Sequence, residues 1–371
     1  MAVAVPVDQS ATNVQTTSVR LTWGQGNALQ PLITSLYGSG EQGAFYVPKP
    51  VVDGTQSLFQ STGNVDIVDA DSQPVGLMMD QAHGVDFGPE LISNGGFSSG
   101  TTGWTINNDG GLVVENGVLK VTTGTTYPTD ALQTLTGLTV GKTYMVSAMA
   151  RVGVPGGGTK ARLLVGGSGF PSDFTEGGVL TNLSVSFVAN ATSNPIALRA
   201  DDGGAGNDYY FDNVSAKEIP GYPARKITAA ARPAYKVTPD RLLLDKVDDK
   251  LTITVPTGGW TGTMVLATDQ GTASYGVSIP AGAYGLGGQH FPGTAIIGAL
   301  FRDGAMSSGE KTDAESYFVG NGATAGYGAV SNFGRFWQER SDIDDFPLID
   351  TSSATDLSFA WRGCTGILTS P

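Results

Sequence analysis

His83, His290 and Cys364 are the only histidines and the only cysteine of the chain, so proton transfer and soft-metal chemistry have few residues to draw on. One cysteine makes neither an intrachain disulfide nor a redox dithiol, and the set is too small for a Cys/His zinc site. A Ser-His-Asp triad would need one of the two histidines. His83 precedes Gly84 in a turn and His290 lies in a glycine-rich loop, positions that suit a surface or hydrogen-bonding imidazole. Cys364 follows a tryptophan near the end of the chain and suits a small core thiol.

Two short motifs match catalytic patterns in the wrong context. Gly38-Ser39-Gly40-Glu41-Gln42-Gly43 fits the dinucleotide pattern, which needs a strand before it and a helix after it, whereas Pro48 and Pro50 follow here. Gly96-Phe97-Ser98-Ser99-Gly100 fits a nucleophile elbow, yet the next residues, Thr101-Thr102-Gly103-Trp104, begin no helix. Both read as turns. Asp201, Asp202, Asp208 and Asp212 could offer oxygen ligands to calcium, or form a solvated acidic loop.

The remaining chemistry is recognition. Exposed Trp and Tyr rings stack on the C–H faces of sugars while polar neighbours take the hydroxyls. Trp104, Tyr127, Tyr209 and Trp260 are the candidates. Trp104 follows a glycine and fits a core position as well. Tyr127 sits beside Pro128 and Asp130 in a loop and is the better placed for exposure. Arg151 and Arg199 fall on the polar faces of their strands, where they bind hydroxyls or carboxylates or stay solvated.

These residues must be positioned by a chain of 371 residues, two to three domains at roughly 150 residues each. Glycine counts 53 and charged residues only 15%, a mixture that suits short strands joined by turns rather than long charged helices. The net charge of −13 repels phosphate backbones and anionic bilayers, so no nucleic-acid partner is expected. No apolar run approaches the ~20 residues that span a bilayer, so no membrane insertion is expected either. Met1 to Gln15 lacks a cationic segment followed by an apolar one, and no secretory signal is read there.

The chain divides into five zones. Residues 1–37 read as an N-terminal anchoring arm, and 38–88 as a small loop-rich module. Residues 89–219 carry alternating strands: Leu183, Val185 and Phe187 face one way while Ser184 and Ser186 face the other, and Tyr144 to Val152 alternates likewise. Leu112–Glu115, Val118–Thr122, Ala161–Val165, Ile196–Ala200 and Tyr209–Val214 complete a β-sandwich. Residues 220–325 continue in strands, among them Leu251–Val255, Met264–Ala267 and Ser274–Ile279. They end in one helix, with Ser307 and Glu310 in a capping-box pattern and Gly320 stopping it. In 326–371, Trp337, Ile343 and Pro347 recur as Trp361, Ile367 and Pro371 at a 24-residue offset, the mark of a partial solenoid repeat. The fold class expected is all-β: tandem β-sandwich domains, jelly-roll in type, with one short closing helix and a partial leucine-rich-type repeat.

Particular stretches resemble known families. Glu90-Leu91-Ile92-Ser93-Asn94-Gly95-Gly96-Phe97, Gly103-Trp104, Leu138 to Tyr144 and Tyr210-Phe211-Asp212-Asn213-Val214 resemble the galactose-binding-like jelly roll of carbohydrate-binding modules appended to xylanases. That resemblance implies a glycan ligand and a structural calcium held by Asp212 of the closing motif, with Asn94 of the opening motif as the second metal candidate. Arg232-Pro233 through Asp249 is similar to a concanavalin- or laminin-G-like sandwich. Phe333 to Pro371 resembles leucine-rich-type repeats of bacterial surface proteins. Gly40 to Tyr46 and Pro74 to Asp80 are similar to a module of phage structural proteins.

Together these resemblances imply a tailed-phage virion protein of the fibre, spike or minor-tail kind, without enzymatic activity. It would assemble with other virion proteins through its arm, as a homo-oligomer with a trimer favoured, and display its sandwiches at the virion surface toward host glycans. A head-decoration or minor tail protein without sugar binding, and a polysaccharide depolymerase, are the other classes the same residues allow.

Overall fold

The computed structural model describes residues 29–62, 66–156, 159–166, 170–201, 204–288 and 293–326. Residues 1–28 of the arm, the repeat from 327 on, His290 and Cys364 lie outside the described residues. Within them the protein is a set of antiparallel sheets with two α-helices, Leu29–Tyr37 and Ser308–Gly320.

The sandwiches are nested, not tandem. Strand Gly43–Tyr46 pairs with Ala295–Asp303, its Phe45 opposite Leu300. Leu58–Phe59 and Leu77–Met78 join Ala224–Arg225, Lys250–Val255 and Gly282–Gly287 in one five-stranded sheet. Residues 29–88 and 220–325 therefore build a single host sandwich, and 89–219 is inserted into it. The loop-rich stretch 38–88 is not a separate module: its hairpins are small, and Gly43–Tyr46 pairs with Ala295–Asp303 while Leu77–Met78 pairs with Ala224–Arg225, both beyond the insert. The last part of the expected arm is likewise a helix of the host. Residues 89–219 fold as the jelly roll expected of them, and their two ends run side by side: the Gly88 N–H donates to Glu218 O at 2.9 Å and the Leu91 N–H to Ala216 O at 2.9 Å.

The host has three layers. Tyr46, Leu58, Met78, Leu251, Ile253, Trp260, Leu266 and Ile296 fill the space between its sheets. Leu32, Leu36, Phe45, Val265, Leu300, Tyr317 and Phe318 fill the space between the larger sheet and the two helices. Strand Ala295–Asp303 is buried on both faces, which is why Ala295 to Phe301 reads as an almost unbroken apolar run. Gly298 makes this layer possible, since a Cβ there would lie 2.0 Å from the Phe318 ring. The closing helix begins as its sequence predicts. Ser307 Oγ accepts from Glu310 N at 3.2 Å while Glu310 Oε2 accepts from Ser307 N at 2.7 Å.

The jelly roll packs two five-stranded sheets. The back sheet runs Thr181–Val188, Thr143–Val152, Asp208–Ile219, Val118–Thr122, Gly111–Glu115, and the front sheet runs Phe170–Thr175, Lys160–Val165, Ser193–Asp201, Thr129–Thr136, Thr105–Ile106. Leu119, Ala131, Val146, Ala161, Leu163, Phe187, Leu198 and Phe211 fill the core between them. Met145 and Ile219 of the back sheet pack with Phe59, Leu77 and Met79 of the host. Arg225 crosses the same contact, its NH1 donating to Ser186 O at 2.9 Å, and burial pushes its guanidinium down to about 10. The host meets the insert on the back sheet, so the outer face of the front sheet points away from it.

Because the insert owns a complete core and its ends meet, residues 89–219 expressed alone are expected to give the far-UV circular dichroism of a folded β-protein, while 29–88 expressed alone gives that of a coil. A folded 29–88 fragment would contradict the nested arrangement.

Candidate functional site

The front sheet puts a row of functional side chains in register. On Ser193–Asp201 the residues Ile196, Leu198 and Ala200 turn inward to the core, so Arg199 and Asp201 take the outer face. On Lys160–Val165, Ala161, Leu163 and Val165 turn inward and Lys160 and Arg162 outward. Pairing then aligns Phe174 with Arg162, Arg162 with Arg199, and Arg199 with Asp130. At about 4.8 Å per strand gap, this row of four residues is roughly 15 Å long.

Within the row, the Arg199 Nε donates to Asp130 Oδ1 at 2.8 Å and its NH2 to Oδ2 at 3.0 Å, a bidentate pair. Asn107 completes that corner, donating from Nδ2 to Asp130 Oδ2 at 3.1 Å. The hydrogen-bonded Asp130 carboxylate raises the Arg199 guanidinium above its ordinary range, with burial acting the other way. One step along the strands, the Tyr127 hydroxyl donates to Asp201 Oδ1, and Arg162 NH1 lies 3.5 Å from Asp201 Oδ2. The Arg162 guanidinium and the Lys160 ammonium both sit over the Phe174 ring, 5.4 and 4.5 Å from its centroid. Tyr127 is 59% exposed and Phe174 44%. The face is thus a polar platform with an open aromatic ring at each side of the Arg162–Asp201 pair, able to stack a flat apolar face and to hydrogen-bond along it.

Of the residues expected to bind sugar, Tyr127 and Arg199 meet on this face. Three do not. Trp104 is a core residue, its Nε1 donating to Asn94 O at 3.3 Å and its ring packed on Phe97. Tyr209 is wholly buried in the same core. Each ring is covered by its neighbours and has no face left to stack on a sugar. Arg151 belongs to the opposite sheet, where its guanidinium covers the Tyr210 ring at 3.6 Å. Trp260 is buried in the host core.

Both metal candidates make local hydrogen bonds. Asn94 spends its side chain on its own loop, donating to Gly100 O and Thr102 O and accepting from Ser99 N. Asp212 Oδ1 accepts from Asn213 N, and among the described residues no group of three His, Cys, Asp or Glu ligands includes it. Among the described residues the one such group is Asp245, Asp248 and Asp249, in a turn of the host. The acidic cluster expected at Asp201, Asp202, Asp208 and Asp212 also divides: Asp201 faces the platform, Asp208 accepts from the Thr122 hydroxyl at 2.6 Å on the back sheet, and Asp202 lies outside the described residues.

Neither catalytic motif is realised. Gly38 to Gly43 follows a helix and precedes a strand, the reverse of a dinucleotide turn, and Phe97 of the GxSxG match is buried in the core. His83 lies at the junction of host and insert, its Nδ1 2.8 Å from Asp80 Oδ2.

Phe174, Arg162 and Asp130 are the platform residues that sequence reasoning missed. The signal for Arg162 was present, since it alternates with Ala161 and Leu163 as Arg199 does with Leu198 and Ala200. Phe174 and Asp130 lie on strands whose patterns are weak. Phe170–Thr175 contains Pro171 and forms the sheet's edge, where proline is tolerated, and Thr129–Thr136 breaks its apolar alternation with Gln133.

No protein-family profile matches the chain, and no curated protein sequence matches it. Solved structures similar to it include a CBM4 structure, 18% identical over 34% of this chain and 99% of that one at a TM-score of 0.28. The tandem CBM22-1-CBM22-2 domain from Paenibacillus barcinonensis Xyn10C is 12% identical over 62% of this chain and 95% of that one, at 0.30. The enzymatically active domain of tailspike protein 4 of Bacteriophage CBA120 is 14% identical over 35% of this chain and 21% of that one, at 0.28. At TM-scores of this size the likeness carries no argument about function, which rests on the geometry.

Asp130 is the member on which the platform's order depends. Asp130→Asn removes a charge-assisted bidentate pair from a partly buried site and is expected to lower unfolding stability by about 2 kcal/mol. Denaturant titration of the full chain measures it, and an unchanged midpoint would mean that Arg199 is held by something else.

Proposed function

We propose that the protein is a non-enzymatic glycan-binding protein and that the front face of its jelly roll is the binding surface. The observation that carries this reading is the aligned row Phe174–Arg162–Arg199–Asp130 with Tyr127 alongside. Side chains pinned by one another lose little freedom when a ligand arrives, and exposed rings beside fixed donors suit a pyranose chain. Binding without cleavage fits the same geometry. Both oxygens of Asp130 are occupied by Arg199 and Asn107, and Asp201 is engaged by Tyr127 and Arg162, so neither stands free as a nucleophile or proton donor.

The setting we propose is a virion surface, as a fibre, spike or minor tail protein of a tailed phage that binds host glycans, with several copies turning weak single sites into firm adhesion. The phage-like stretches Gly40 to Tyr46 and Pro74 to Asp80 support this reading, and they form neighbouring parts of the host sandwich around Asp80. Homo-oligomerisation, with a trimer favoured, and attachment through the N-terminal residues belong to the same proposal.

Phe174→Ala and Tyr127→Ala are each expected to weaken binding to a glycan-array ligand of the full chain by about tenfold or more while leaving the melting temperature nearly unchanged, since both rings are exposed. Wild-type affinity in both variants would remove the front face from the account, and release of reducing sugar from the bound glycan would make the protein an enzyme. Antibody raised against residues 89–219 is expected to label intact phage particles, and unlabelled particles that lack the protein would end the virion reading.

A further inference from the structure

Charge is layered on the front face. The carboxylates lie low, with the Asp130 side chain 6% and the Asp201 side chain 13% exposed. The cations lie above them, Arg199 at 21%, Arg162 at 27% and Lys160 at 29%. What a ligand meets is therefore a surface of N–H donors, although acids and bases are equal in number there once the outlying Glu176 is counted. Glu176, half exposed, stands 3.8 Å from the Lys160 ammonium at the rim.

The three cations differ in how far their donors are used. Arg199 is saturated on one side by its bidentate pair with Asp130. Among the described residues, Arg162 holds one carboxylate contact, through NH1 at the long distance of 3.5 Å; its Nε is buried and has no hydrogen-bond partner, so the donors open to a ligand are those of its terminal nitrogens. A guanidinium has five N–H donors and an ammonium three, so Arg162 and Lys160 retain donor capacity side by side. Both are held over the Phe174 ring, which fixes their position without consuming an N–H. A neutral sugar offers hydroxyls, which can donate as readily as accept. A carboxylate only accepts, and its bonds to cationic donors are about twice as strong as neutral ones.

We propose that this face takes an acidic polysaccharide, one bearing uronate carboxylates, with Arg162 and Lys160 receiving the carboxylate and the Phe174 and Tyr127 rings receiving the sugar faces. The proposal rests on the front face being the glycan site. The whole chain carries −13, which opposes an anionic ligand at a distance. Recognition must therefore come from short-range contacts within a Debye length, and it should weaken as salt rises.

The test uses the full chain against polygalacturonate, alginate and polyglucuronate, each paired with its carboxyl-reduced neutral form, in low and in high salt. The expected result is that at least one acid form binds about tenfold or more tightly than its reduced partner, with the preference shrinking in high salt. Arg162→Gln and, independently, Lys160→Gln should abolish that preference, with the melting temperature checking that each variant folds. Equal binding of acid and reduced forms, or binding of the reduced forms alone, overturns the acidic ligand while leaving a glycan site at Phe174 and Tyr127. If no acid polymer binds, the inference also falls, and binding of neutral xylan or β-glucan oligosaccharides then decides whether the front face is a glycan site of another kind. An acid preference that survives both variants would place the carboxylate elsewhere on the molecule.

Discussion

A carboxylate sealed from solvent must find its hydrogen-bond donors inside the protein, and Asp80 finds four. Its Oδ1 accepts from the Phe45 and Ala82 N–H groups, each at 2.9 Å, and its Oδ2 accepts from Tyr222 N at 3.0 Å with His83 Nδ1 at 2.8 Å. Phe45 belongs to the first strand of the host, Ala82 and His83 to the chain leaving for the insert, and Tyr222 to the chain returning from it. One side chain thus ties the three segments that make nesting possible. Gly221 shares the constraint, because it has a φ of +65° and a Cβ there would fall 2.3 Å from Asp80 Oδ2. The surrounding rings, Tyr222 edge-on to His83 and to Trp260, carry the junction into the host core.

From that junction the disposition of the insert follows. The chain enters and leaves at Gly88 and Glu218, which are hydrogen-bonded neighbours, and the back sheet lies against Phe59, Leu77 and Met79. The front sheet is left with one face in the core and one in solvent. Its strands must then alternate, and alternation delivers Arg162, Arg199 and Asp130 to the same side and the same row. Strand pairing, rather than any local motif, makes these residues a group.

The acidity of the chain and the basic character of its front face are reconciled by depth. A carboxylate under a guanidinium costs less desolvation than one buried alone, because the pair compensates charge and hydrogen bonds together. Asp130 and Asp201 hold the arginines in place from below and leave the cations at the surface, so a protein of net charge −13 presents donors at one locus.

The sequence by itself determined what depends on short-range pattern. Alternation in Tyr144 to Val152 and in Leu183 to Phe187 marked the jelly-roll strands, and Ser307 with Glu310 marked the closing helix, because a period of two residues or a cap is written within a few positions. The exposure of Tyr127 beside Pro128 was legible for the same reason. Tertiary structure alone decided the rest. Strands as short as Leu58–Phe59 and Leu77–Met78 have too few residues to show a period, and the pairing of Leu77–Met78 with Ala224–Arg225 spans the whole insert. Nesting therefore left no local trace. Trp104 and Tyr209 were stacking candidates beside Tyr127, yet they fill the core while Tyr127 stands in solvent, since a ring's surroundings are set by the sheets that close over it. The platform was hidden for the same reason: Phe174, Arg162, Arg199 and Asp130 come from four strands, and only hydrogen-bonded register, which links residues far apart in the chain, brings them into one row.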